Sequence, residues 1–125
     1  MTRPVFLNLF QIKFPVTAIV SILHRVSGVV LFLAIPVIYS LLYMSICSEA
    51  SYANLAAFSG MWYAKLVYLL IIVAVLFHAL AGIRHMHYDF STNHNLAGAK
   101  KTAWAVILLT IVLAAMVACR IFFQV

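Results

Sequence analysis

Three long stretches of this chain carry no charged side chain: Val26 to Ser48, Leu66 to Ile83 and Thr102 to Cys119. Each matches the 17–25 residues an α-helix needs to cross the hydrocarbon core of a bilayer. Inside that core every backbone N–H and C=O must be satisfied without water, so only helices and closed barrels can span it. A barrel needs at least eight short alternating strands, and no such pattern occurs here. The expected fold is therefore an all-α integral membrane protein of three transmembrane helices, with spans at roughly 22–47, 64–86 and 101–123 in one domain, 1–125.

Composition supports this reading. The 125 residues are 67% hydrophobic and 8% charged, with a mean hydropathy of +1.15. A soluble domain runs near half apolar and a quarter charged. An ordinary soluble enzyme and a disordered tail are excluded. The net charge of +6 forms no basic stripe on an aromatic platform, so nucleic-acid binding is excluded as well. Three greasy helices bury little of their own surface, and such a chain needs partners and membrane lipid around it.

The ends of the runs carry interfacial punctuation. Lys65 and Arg84 bracket the second, and Lys101 and Arg120 bracket the third. Trp62, Tyr63 and Tyr68, and at the far end Phe122 and Phe123, read as aromatic belts. Pro36 falls within the first span and is a candidate kink. Residues 49–63 and 89–100 read as connections. With three spans, the N-terminus and the second connection share a side. Six of the eight Lys and Arg lie there (Arg3, Lys13, Arg25, Arg84, Lys100, Lys101), against Lys65 and Arg120 opposite. The positive-inside rule then puts the N-terminus in the cytoplasm and the C-terminus outside. Met1 to Val16 mix Arg3, Asn8, Gln11 and Lys13 with apolar residues and read as an amphipathic lead-in at the inner face. They lack the cleavable pattern of a secretory signal and the Ser- and Arg-rich character of a transit peptide. A bacterial inner membrane is favoured over a mitochondrial one.

Cys47 and Cys119 fit neither a C-x-x-C nor a C-x-x-C-H pattern, and read as buried thiols rather than a disulfide. Any haem would be held non-covalently, and a zinc or iron–sulfur site in this chain is not expected.

Chemistry must then lie in the few polar groups near the spans. Ser21, His24, Arg25 and Gly28 fall at i, i+3, i+4 and i+7, one helical face at the inner end of the first span. His78, Gly82, His85 and Asp89 form a second stripe. His78 precedes Arg84 by six residues, about 9 Å of helix. An imidazole at that depth needs a partner. Three readings stay open for it: a hydrogen bond to a neighbouring helix, haem ligation, or a proton relay. Gly82, one turn away, can admit a flat group, and Arg25, His24 and Arg84 lie at a depth suited to propionates. Ser21 and Arg25 can be a helix cap and a snorkelling side chain. Equally, they can be a hydroxyl and guanidinium stabilising the charge that develops on a quinone oxygen. Asp89 is expected to pair with Arg84 or His85, or to feed protons. His85, His87 and His94 read as interfacial, solvated histidines.

These residues resemble a known family. Arg3-Pro4 followed by Ser21-x-x-His24-Arg25-x-Ser27 is similar to the first signature of the succinate dehydrogenase cytochrome b subunits. His78-x-x-x-Gly82-Ile83-Arg84-His85-Met86-x-Tyr88-Asp89 is similar to the second. Both occur in the family's order and spacing, and the likeness covers essentially the whole chain. Ser91 departs from it, standing where the family more often has Gly, Ala or Val. The resemblance implies a second three-span anchor subunit. It also implies that the two anchors hold an iron–sulfur subunit and a flavoprotein subunit at the inner face. Electrons from succinate would pass through FAD and iron–sulfur clusters in those partners to ubiquinone. A haem b would lie between the two anchors, with His78 as one axial ligand and the other from the partner anchor. It further implies Ser21 and Arg25 at the quinone site, and His24 and Arg25 near the haem propionates. Gly82 and His85 would lie beside the haem. Two alternatives remain: an anchor of a fumarate reductase, which runs the reaction in reverse, and a non-redox structural or ion-conducting three-span protein.

Overall fold

A computed structural model describes residues 14–90 and 95–123, all helix and short connections, with no strand among them. The elements are α1 (Val16–Cys47), α2 (Glu49–Ser59), α3 (Trp62–Phe90) and α4 (Leu96–Phe123). α1, α3 and α4 have 32, 29 and 28 residues and are apolar enough to cross a membrane. At 1.5 Å per residue even α4 reaches about 42 Å, longer than a hydrocarbon core of about 30 Å. That excess explains why all three helices begin before the expected spans and why α3 also runs past the end of its own. The lead-in expected over residues 1–16 lies almost wholly outside the described residues, as do Ser91 and His94.

Local chemistry sets the joints. Pro15 precedes α1 without a side-chain cap. It is a natural entry residue, since a proline has no N–H to leave unsatisfied. α1 runs unbroken through Pro36, and Ser40 Oγ donates to the Pro36 carbonyl at 2.8 Å. The connection expected over 49–63 instead folds into α2. Ser48 ends α1 and caps α2, accepting the Ser51 N–H at 3.1 Å, while Glu49 places negative charge in the first turn. Both features stabilise a helix start. No long apolar run marks this helix, which is why the hydrophobic pattern passes over it. Ser59 Oγ meets the Tyr68 hydroxyl at 2.9 Å and ties the end of α2 to α3. Asn95 caps α4, its Oδ1 accepting the Ala97 N–H at 3.0 Å.

The shared core is small. Val20, Phe77, Ala81, Ala103 and Val106 form one buried cluster joining α1, α3 and α4. Ala81 and Ala103 are fully buried. Small residues at helix contacts let backbones approach closely where lipid offers no hydrophobic drive for association. Large apolar side chains such as Phe32, Ile46 and Phe123 point outward, 71%, 75% and 75% exposed. Those faces suit lipid and partner helices. Cys47 and Cys119 are free thiols, as expected, but exposed on the isolated chain rather than buried.

α1 and α4 run in the same direction and α3 runs against them. The start of α1, the end of α3 and the start of α4 therefore meet at one end of the bundle. Arg25, Arg84, Lys100 and Lys101 gather there, and Lys65 and Arg120 lie at the opposite end.

Candidate functional site

At the basic end, α1 and α3 bring three imidazoles face to face. The His24 ring stacks on His78 with centroids 4.2 Å apart and planes 21° from parallel. On its other side it stacks on His85 at 5.0 Å and 20°. All three side chains are half-buried. The sequence places His24 and His78 on separate stripes and leaves His85 solvated. The fold puts His85 in the same column, with its Nδ1–H donating to the Ala81 carbonyl at 2.7 Å.

His78 is the most tightly held member. Its Nδ1 lies 3.0 Å from Ser27 Oγ and 3.2 Å from the His24 carbonyl oxygen. The Ser27 hydroxyl is itself 2.7 Å from that carbonyl, across one turn of α1. A carbonyl can only accept, so the proton must sit on His78 Nδ1, and Nε2 carries the lone pair. Gly28 makes this approach possible. A Cβ there would stand 3.2 Å from His78 Cε1 and crowd the ring. A Cβ at Gly82 would meet His24 Nε2 at an ordinary 3.5 Å. Of the two glycines, Gly28 is thus the one the His78 ring requires, and Gly82 faces His24.

His24 Nε2 is buried and has no hydrogen-bond partner among the described residues. A buried polar atom left so is costly unless something outside the chain meets it. Ser21 lies one turn before His24 on α1 and is half-buried, while Arg25 is exposed. Ser21 lies five residues inside the helix, which excludes the capping role. Its hydroxyl and the Arg25 guanidinium share a face at i and i+4.

Arg84 does not serve Asp89. Its Nε–H donates to Thr102 Oγ1 at 3.1 Å and its Nη2 to the Ala99 carbonyl at 3.0 Å, both on α4. The guanidinium also covers the Tyr88 ring at 5.0 Å from its centroid, and Tyr88 OH lies 3.2 Å from Thr102 Oγ1. Arg84 is therefore a structural clamp between α3 and α4. Ser27, Gly28 and Thr102 were not singled out by sequence reasoning for these roles. The signal for the first two was present: they follow His24 and Arg25 on α1, one turn further along toward His78.

A family model of succinate dehydrogenase/fumarate reductase transmembrane subunits matches residues 1–117. The chain belongs to that family. It is similar to the succinate dehydrogenase cytochrome b556 subunit of Coxiella burnetii, 36% identical over 112 residues that cover 88% of this chain and 89% of the relative. The same-named subunit of Paracoccus denitrificans is 30% identical over 112 residues, covering 90% and 86%. That of Rickettsia felis is 28% identical over 111 residues, covering 89% and 86%. A family member of this kind is a multi-pass membrane subunit of an oxidoreductase complex and works with partner subunits.

Proposed function

We propose that this chain is the haem b-binding anchor of a succinate:ubiquinone oxidoreductase and forms part of its quinone-reduction site. The observation that carries the reading is the state of His78. Metal-bound histidines almost always donate the other ring N–H to a carbonyl or similar acceptor, which orients the ring and raises its basicity. His78 has that arrangement, with Nδ1 committed and Nε2 free. The orphaned His24 Nε2 also fits a polar-edged group from outside the described residues. The relatives' name, cytochrome b556, agrees with a b-type haem.

In this reading His78 Nε2 would hold the haem iron together with a residue of a partner anchor subunit. His24 and Arg25 would meet the propionates, and Gly82 and His85 would lie beside the group. Such a group would supply one-electron storage near the quinone. FAD and the iron–sulfur clusters belong to the flavoprotein and iron–sulfur subunits, where succinate is oxidised. Ubiquinone is bound by Ser21 and Arg25. Its carbonyl oxygens gain negative charge on reduction, and a hydroxyl and a guanidinium placed there beforehand stabilise that charge. The arginine also keeps its proton throughout, so it can hold an anionic intermediate without consuming it.

Two measurements test this. In the purified complex, succinate should reduce a b-type band seen by reduced-minus-oxidised spectroscopy. A complex that assembles and oxidises succinate with no such band refutes haem binding. For orientation, the gathering of Arg25, Arg84, Lys100 and Lys101 at one end supports a cytoplasmic N-terminus in a bacterial inner membrane. A reporter active only in the cytoplasm, fused after Val125, should be silent, and strong activity there would invert the topology.

A further inference from the structure

Two polar side chains are buried among the described residues, Ser27 and Thr110, each 7% exposed. Thr110 satisfies itself on its own helix, donating to the Val106 carbonyl at 2.8 Å. Ser27 reaches across to another helix and meets the imidazole of His78 at 3.0 Å. No hydroxyl is needed to hold α1 in shape at this point, and a serine inside a helix is mildly unfavourable unless its side chain has other work.

The protons account for what it does. Ser27 has one, and the 2.7 Å contact to the His24 carbonyl takes it. Its Oγ is then left as an acceptor toward His78 Nδ1–H. The same N–H lies 3.2 Å from the His24 carbonyl, so two acceptors share one donor. The Ser27 hydroxyl thus does two things at once: it accepts from the imidazole, and by donating its own proton to the His24 carbonyl it becomes the stronger acceptor. The remaining freedoms of the ring are closed by neighbours on α1. Gly28 lies against Cε1, and the His24 ring lies over one face at 4.2 Å. Residues 24, 27 and 28 of one helix therefore set the tautomer, the tilt and the rotation of a ring carried by another.

We propose that Ser27 is a positioning residue that tunes His78, holding its Nδ1–H in a two-acceptor hydrogen bond so that Nε2 is presented as a strengthened donor to iron. The proposal rests on His78 being the haem ligand. Its consequence has a definite sign. Pulling on the Nδ1 proton gives the imidazole some imidazolate character, which favours the oxidised metal. Losing one acceptor weakens that pull, so the reduced state gains and the midpoint potential rises.

The test is a series at position 27 in the assembled complex, read by potentiometric titration of the b-type band and by electron paramagnetic resonance of the oxidised haem. Ser27→Ala removes the acceptor, and Ser27→Cys replaces it with a poor one at similar size. Both should raise the midpoint potential and shift the resonance of the oxidised haem. Ser27→Thr keeps the oxygen and should stay near the wild-type value. Succinate oxidation by a soluble artificial acceptor should be unchanged across the series, because nothing at position 27 touches the flavoprotein. The proposal is overturned if all four forms share one potential and one spectrum. It is also overturned if Ser27→Thr fails to assemble along with Ser27→Ala, which would make Ser27 a packing residue. His78→Ala, run alongside, separates the two levels. A native band in that variant removes the ligand assignment itself, whereas loss of the band with no ordering among the position-27 variants removes only the role of Ser27.

Discussion

Replacing His78 with alanine should leave an assembled complex without its native b-type absorption. Among the described residues only the His78 imidazole has its Nδ1–H held by a neighbouring helix and its Nε2 free, and it is also the deepest along the span. The expected change is loss of the band, or collapse to a high-spin spectrum of a haem held from the partner side alone. The measurement is a dithionite-reduced minus oxidised spectrum, normalised to total complex on a sizing column. Assembly should survive. Deleting the ring leaves Ser27 Oγ and the His24 carbonyl short of one partner, a cost of about 1–3 kcal/mol. The contacts that join the helices, from Val20 to Val106, lie elsewhere. An unchanged axial-ligand spectrum in an intact His78→Ala complex would assign the iron to another imidazole, with His24 next in the column.

Changing Arg25 to leucine should lower ubiquinone reduction by about 100-fold, the scale on which a single preorganised donor to a developing oxyanion acts. The substitution removes both the hydrogen bonds and the positive charge. Ser21→Ala removes one neutral donor, worth about 0.5–1.5 kcal/mol, or roughly 2- to 13-fold at 1.36 kcal/mol per decade; it should be the milder variant. Arg25 is exposed and makes no contact that shapes the core, so the complex should assemble in both cases. Turnover of succinate with a soluble artificial acceptor should therefore persist while quinone reduction falls. An assembled double variant that reduces ubiquinone at the normal rate and affinity refutes the site. Loss of both activities together would make this face of α1 a docking surface for the iron–sulfur subunit.

Parts of the site were legible before any coordinates. The two stripes, Ser21-His24-Arg25-Gly28 and His78-Gly82-His85-Asp89, follow from helical periodicity alone, because residues three and four apart share a face. The depth of His78 follows from counting back from Arg84. Other parts were not legible. Asp89 and Arg84 are close in sequence and opposite in charge, yet Arg84 turns to Thr102 and Ala99 on α4. Periodicity names the residues on a face but not which helix comes to meet it. His85 shows the same limit. Its place at a span's edge suggests water, while packing of α3 against α1 lays it on His24.

Sequence by itself determined that this chain crosses a membrane three times, since uncharged runs of that length have no other stable form in lipid or water. It also determined which end gathers the positive charge, and that the only chemistry on offer is a handful of histidines, one hydroxyl–guanidinium pair and the glycines beside them. The tertiary structure alone decided that α2 exists, because its start rests on a local cap at Ser48 and its end on a hydroxyl contact with Tyr68, not on any hydrophobic pattern. It alone decided that Ser27 and Gly28, rather than Gly82, receive His78. Contacts between residues about fifty positions apart depend on how two helices are rotated about their axes. That rotation is set by small core residues such as Ala81 and Ala103, whose packing no single helix encodes.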